Sequence, residues 1–249
     1  MLILNMDPEN QIRIAMWSGP RNISTAMMRS FENRDDAVVI DEPFYAYYLS
    51  QTDLDHPGKE KVLKSQSTNW DHVVRLINED IPNGKMIWYQ KHMVHHIIED
   101  KDIQWVRSFN NFFLIRHPQE VIISYLKQSK IEGINDLGFL HQINLFKKIK
   151  NITGEYPIVF DAKDILSDPE KYLRKMCKYL NISFSNKMLN WPRGSRETDG
   201  VWSPYWYKNV IESTSFKPYK VSNEQVPKEY NNLLEECLQH YNYLNSFKI

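Results

Sequence analysis

Cysteine is scarce in this chain, with only 2 in 249 residues, Cys177 and Cys237. Both fall in helix-like stretches with no ligand spacing. That excludes a disulfide framework and a thiolate metal site, and it reads as two reduced core thiols of a cytoplasmic protein. An excess of charge of one sign is also missing. With 31 basic and 31 acidic residues the formal net charge is zero, so composition provides no basic face for nucleic acid and no polybasic membrane anchor. No segment approaches the roughly 20 apolar residues that cross a bilayer. Met1 to Gln11 hold one short apolar patch and then Asp7-Pro8-Glu9, expected to be neither signal peptide nor membrane span. Repeats and low-complexity runs are absent. What is present is 42% hydrophobic content, enough for a full core, and the expectation is a single domain over residues 1–249.

The stretch from Ile12 to Phe31 organises the rest. Ile12, Ile14, Ala15, Met16 and Trp17 form an apolar run that reads as a short buried strand. Ser18, Gly19 and Pro20 break it, and Ser24-Thr25-Ala26-Met27-Met28 opens a helix with Ser24 as the expected N-cap. A strand, a tight loop and a helix in that order aim free backbone N–H groups at one point, where the helix dipole adds positive potential. Such a point binds anions. Arg21 places a cation in the loop, and Ser24 and Thr25 add hydroxyls. The plainer alternative is an ordinary strand-to-helix turn with a surface Arg. The loop lacks both the second Gly and the Lys of the nucleotide triphosphatase pattern Gly-x4-Gly-Lys-Ser/Thr, which argues against magnesium-dependent ATP chemistry.

Further along, Ala37 to Ile40 reads as a second strand that ends in Asp41 and Glu42, with Pro43 stopping the ladder. Ligands of parallel α/β sheets bind at the carboxyl ends of the strands, so Glu42 is expected in the same crevice as Arg21. A helix-capping or turn carboxylate is the alternative. Residues 50–66 are polar and read as a surface loop or lid, and Thr68 to Asn78 as a helix. Lys85 to Gln90 reads as a third strand, followed by Lys91-His92-Met93 and then His95 and His96. Three imidazoles within five residues raise the question of a metal, but no matched carboxylate accompanies them; for His95 and His96, satisfied burial is the main alternative. Asn111 to Ile115 is the fourth strand, with Arg116 at its end and Pro118 opening a helix that carries Ser124. A guanidinium grips phosphate oxygens with two prongs, and a hydroxyl adds a neutral donor. Asp136 to Lys150 reads as a helix, Pro157 to Phe160 as a fifth strand, and Asp168 as the cap of the next helix. Trp191 to Tyr207 is rich in aromatics. It reads either as a small core under a loop or as an acceptor pocket, a platform for adenine, or a cage for a quaternary ammonium. Pro227 to Tyr243 reads as a closing amphipathic helix.

Pro20-Arg21-Asn22-Ile23-Ser24-Thr25 resembles the 5′-phosphosulfate loop of sulfotransferases, Pro-Lys-Ser-Gly-Thr-Thr, with Arg for Lys and Ile for Gly. Arg116, then Pro118, then Ser124 eight positions after the Arg resembles the family's 3′-phosphate motif. Glu42-Pro43-Phe44 is similar to the catalytic Glu of several subfamilies, and Lys91-His92 to another layout in which the His is the base. Arg193-Gly194 partly resembles the Arg-Lys-Gly loop that closes over the cofactor phosphate. The resemblance runs from about Arg13 to about Arg196 and is nearest to a bacterial-looking branch.

It implies an α/β fold like that of P-loop nucleotide triphosphatases, with a mostly parallel sheet of about five strands flanked by helices. It also implies transfer of a sulfuryl group from 3′-phosphoadenosine 5′-phosphosulfate (PAPS) to a hydroxyl or amine of a small acceptor. Adenosine 3′,5′-bisphosphate is then the product, and no metal, nucleic acid or membrane takes part. By the resemblance, Arg21, Asn22, Ile23, Ser24, Thr25 and Ala26 hold the phosphosulfate, and Arg21 also stabilises charge on the transferring group. Arg116 and Ser124 hold the 3′-phosphate, with Arg193 and Gly194 closing over it. Glu42 is the expected base and His92 the second choice. The rivals are a P-loop kinase using ATP, a catalytically inactive nucleotide-binding relative, and an interaction protein with no anion site.

Overall fold

Alternation along the strands decides the architecture. In β1 (Ile12–Ser18), Ile14 and Met16 join one apolar layer while Ala15 and Trp17 join the other. A strand that is apolar on both faces has to be covered on both. The computed structural model describes residues 11–98, 100–221 and 223–249. The expectation for the chain start therefore lies, up to Asn10, outside the described residues.

Five strands form one all-parallel sheet: β1, β2 (Ala37–Asp41), β3 (Ile87–Met93), β4 (Asn110–Ile115) and β5 (Ile158–Asp161), in the order β2-β3-β1-β4-β5. The central strand is therefore the first in sequence. The crossover that follows β1 runs to one side, toward β2, and later crossovers run to the other, a reversal that opens a crevice at the carboxyl ends of the strands. The register brings those ends level. Ser18 stands beside Met93 and Leu114, and Asp41 stands beside Lys91.

Helices cover both faces. On one side lie α1 (Ser24–Glu32) and a C-terminal helix, Pro169–Tyr179, which bury Met27, Met28, Phe31, Leu173, Met176 and Cys177 against Tyr89, Phe112 and Phe160. On the other lie the helices Trp70–Asn78, Phe139–Thr153 and Asn231–Asn245, which pack Trp70, Ile77, Phe146, Ile149 and Leu244 against Trp17 and Phe113. Each fully buried large side chain contributes about 1.5–3 kcal/mol relative to exposure. Asp168 caps its helix as expected, accepting from Lys171 N at 3.1 Å. Both cysteines are buried and free. Among the described residues no helix is long and apolar enough to cross a membrane.

Two local expectations need correcting. Ser24 is not the N-cap of α1; it is the first helical residue, and the cap position is Ile23, with φ 56°. Residues 50–66 are not a plain loop, because the helices Tyr45–Ser50 and Lys59–Ser65 occupy much of that stretch. Their buried faces (Tyr45, Leu49, Val62) pack on Trp202 and Tyr207.

Candidate active site

A cavity of about 480 Å³ opens over the carboxyl ends of the central strands. All six residues from Arg21 to Ala26 line it, together with Glu42, Lys91, Arg116 and Ser124. The loop at its floor is held from below. Asn22 is buried, and its Nδ2 donates to the Leu114 carbonyl at 3.1 Å, an oxygen that also accepts from Gln142 Nε2 at 3.0 Å. Asn22 therefore anchors the loop through its side-chain amide nitrogen. Gly19 is required, since a Cβ there would stand 2.9 Å from the Leu137 carbonyl oxygen. Arg21 and Ile23 are both left-handed, at φ 64° and 56°, a conformation rare for a β-branched residue. The first helical bond at this end is Met27 N to Ile23 O, at 3.0 Å. The amides of Ser24, Thr25 and Ala26 come before it and have no carbonyl within the helix to meet.

Arg21 does not curl back over its own loop. Its guanidinium reaches across to the helix α2 (Pro118–Leu126), where Nε donates to Ser124 Oγ at 3.0 Å, and just past the helix end Nη1 donates to Gln128 Oε1 at 2.9 Å. Arg116 meets it there, with NH1 donating to the Arg21 carbonyl at 2.9 Å and Nε to Glu120 Oε2 at 2.8 Å. Burial, and then the Arg116 charge, push Arg21 below its ordinary value. Two guanidiniums and one hydroxyl thus converge with a single carboxylate between them, an arrangement that favours an added anion.

At the other end of the cavity the second and third strands bring Asp41, Glu42 and Lys91 together. Lys91 Nζ donates to Asp41 Oδ1 at 2.7 Å, to Glu42 Oε1, and to Tyr207 OH at 2.7 Å. Tyr207 OH donates in turn to Asp41 Oδ2 at 2.7 Å, and Trp202 Nε1 donates to Tyr207 OH at 2.9 Å. Glu42 has φ 43°, so the chain turns sharply as it leaves the strand. Burial raises the Glu42 carboxyl above its usual range against the pull of Lys91. Burial also works against the Lys91 charge, but Asp41 and Glu42 together outweigh it and hold Lys91 up. Glu42 Oε1 is committed to Lys91. Oε2 faces the imidazole of His96, with His96 Nε2 3.9 Å away.

The structure separates the remaining expected residues. His92 stacks on Trp17 with ring centroids 4.6 Å apart, and its Nε2 meets Gln90 Oε1 at 3.2 Å. It lies outside the cavity lining, and burial followed by the Lys91 charge drives it down to about 3. His92 thus belongs to the core face of β3, while His95 and His96, one turn on, line the cavity. Among the described residues no group of three ligating side chains is placed to hold a metal. Arg193 is exposed and Gly194 N donates to the Ile211 carbonyl at 2.9 Å; neither lines the cavity. The segment that does is further on, at Ser213, Ser215, Phe216 and Lys217. Lys217 was missed because no Arg or Gly beside it marks the position. The aromatic block divides: Trp191 packs edge-to-face on Phe216 at 5.1 Å, Trp202 and Tyr207 are buried, and Trp206 and Tyr207 line the cavity.

The family model described as a sulfotransferase domain matches residues 12–247. The chain belongs to the sulfotransferase family. Solved sulfotransferases share the fold at low identity. The domain from the Synechococcus PCC 7002 olefin synthase superposes with TM-score 0.53 at 14% identity, over 93% of this chain and 96% of that one. The sulfotransferase from Alicyclobacillus acidocaldarius gives 0.56 at 11%, over 94% and 96%. Among curated proteins, branched-chain-amino-acid aminotransferase-like proteins 2 and 1 of Arabidopsis thaliana are 33% and 35% identical over 231 and 236 residues. Those matches take in 93% and 94% of this chain but only 41% of either plant protein, so this chain spans about two fifths of the length of these relatives.

Proposed function

We propose that this sulfotransferase domain moves a sulfuryl group from PAPS to a hydroxyl or amine of a small acceptor. One observation carries the reading. A single cavity holds Arg21, Arg116 and Ser124 at one end and a buried carboxylate of raised basicity, Glu42, at the other. The residues fit the donor. The unpaired amides of Ser24 to Ala26 suit the 5′-phosphosulfate, and the two guanidiniums with Ser124 suit a separate phosphate dianion. The donor would supply an activated sulfuryl group on a phosphate leaving group.

The chain's own residues then bind, orient and accept a proton. The loop amides and the α1 dipole bind the phosphosulfate and stabilise charge that builds there. Arg21, placed on Ser124 and next to Arg116, acts chiefly in gripping the 3′-phosphate, a binding role more than one on the transferring group. Lys91 fixes Glu42 Oε1, so that Oε2 receives the acceptor proton. As in phosphoryl transfer, most of the catalysis is positioning and electrostatics.

The test is release of adenosine 3′,5′-bisphosphate from PAPS with a panel of small alcohols and amines. With Glu42→Gln, turnover is expected to fall by about 10²–10⁴-fold, the range of a lost general base, while affinity for the bisphosphate stays as it was. Turnover at the wild-type rate in the variant would remove Glu42 from the mechanism.

A further inference from the structure

The cavity changes character between its two ends. Around Glu42 the wall is aromatic: Tyr45, Tyr48, His56, His95, His96 and Trp206. The rings form one connected array. His96 stacks on Tyr45 at 4.6 Å and on Tyr48 at 4.9 Å, and Tyr45 OH shares a hydrogen bond with His56 Nδ1 at 2.8 Å. The array begins at the carboxylate, since His96 is the imidazole that faces Glu42 Oε2. His96 Nδ1 is buried without a partner in a residue that lines the cavity.

No ring of this wall carries positive charge at neutral pH. Burial lowers His56, drives His95 down to about 3 and takes His96 well below its ordinary value. Burial also keeps Tyr45 and Tyr48 protonated, with Tyr48 raised to about 12. Lys91 is already shared between Asp41 and Glu42, so its ammonium is matched by carboxylates on both sides. Asp55 and Asp136 add carboxylates to the lining, and the charge of Asp136 acts on both Tyr48 and His56. The cations that remain in the lining are Arg21, Arg116 and Lys217, the first two meeting at the phosphate end. Outside the lining, the Lys59 charge acts on His56 while its ammonium donates to the Thr52 and Leu54 carbonyls. Lys217 lies two residues before Tyr219, whose hydroxyl donates to Glu120, the partner of Arg116, at 2.8 Å.

We propose that the acceptor is a small alcohol carrying an ammonium group, its hydroxyl at Glu42 Oε2 and its cation against the aromatic wall beside Asp136. The proposal rests on the sulfuryl-transfer reading and names its substrate class. An ammonium gains from the ring quadrupoles and from the Asp55 and Asp136 carboxylates of the lining together. A neutral aromatic alcohol gains only contact, and an anionic acceptor is repelled. In the transfer the alcohol oxygen forms the new S–O bond as the bond from sulfur to the phosphate oxygen breaks. The hydroxyl proton passes to Glu42, adenosine 3′,5′-bisphosphate leaves, and the ammonium group is unchanged.

Calorimetry on the whole chain tests this with choline against 3,3-dimethylbutan-1-ol, which has the same shape and no charge, each with and without saturating adenosine 3′,5′-bisphosphate. Choline is expected to bind at least about tenfold more tightly than the neutral alcohol, and Asp136→Asn is expected to shrink that preference. Equal or tighter binding of the neutral alcohol, or no binding of choline, overturns the proposal. Failure of the bisphosphate itself to bind, with the preference for choline intact, overturns the sulfuryl-transfer reading and leaves the ammonium pocket standing.

Discussion

At the scale of single residues, Glu42 bears the most weight. Its folded pKa is raised by burial, so the linked stability belongs to the protonated form. That stability is fully present below the unfolded carboxylate value and is lost as pH rises through the higher folded value. Above the unfolded carboxylate value that stability is progressively withdrawn, so Glu42→Gln is expected to raise Tm at neutral pH, with the gain vanishing in acid; a Tm that drops at neutral pH contradicts this. The same shift places the acid limb of kcat/KM above the ordinary carboxylate range of about 4.3, and the variant should lose that limb. Arg21 supplies a second prediction. Because its guanidinium sits on Ser124 and Gln128, Arg21→Ala should raise KM for the donor by about tenfold or more, the loss of one charge-assisted contact, with a smaller change in kcat. A loss confined to kcat would return Arg21 to the transferring group.

At the scale of elements, the loop between β1 and α1 shows what a sequence can and cannot display. The strand, the breakers and the helix were legible because each depends on near neighbours, and the spacing from Arg116 to Ser124 was legible because a strand end and the first two helical turns fix it. The reach of Arg21 across to α2 was not, since it depends on a residue 103 positions away. Backbone strain was hidden as well. Of the five non-glycine residues with positive φ among those described, Arg21, Ile23 and Glu42 are at the site, and the other two are Asn83 and Asn181, a residue type that tolerates it. Strain of this kind collects at functional sites. Ile23→Gly and Ile23→Ala both delete the side chain, but only glycine is at ease at φ 56°. Urea denaturation should find the glycine variant more stable by about 1 kcal/mol, the reverse of their order in an ordinary helix. An alanine variant as stable as the glycine one would contradict a left-handed Ile23.

At the scale of the whole molecule, the strand order and the winding reversal about β1 bring four strand ends level, and that alignment turns scattered motifs into one cavity. The sheet and its flanking helices were readable from periodicity. The aromatic wall was not, because it is assembled from residues 45–57, 95–96, 135–136 and 206–210, pieces that only the tertiary fold joins. His92 shows the same limit: a strand's alternation sends neighbouring side chains to opposite faces, and Lys91, not His92, is the one that faces the cavity. On the proposed function, the cavity takes a nucleotide bearing two separated phosphates. Calorimetric titration with adenosine 3′,5′-bisphosphate, beside ATP with magnesium, on wild type and Arg116→Ala, measures this most directly. The bisphosphate should bind tightly, ATP weakly, and the variant should lose at least about tenfold in bisphosphate affinity. A preference for magnesium-ATP, or bisphosphate binding that ignores the loss of Arg116, would contradict the account.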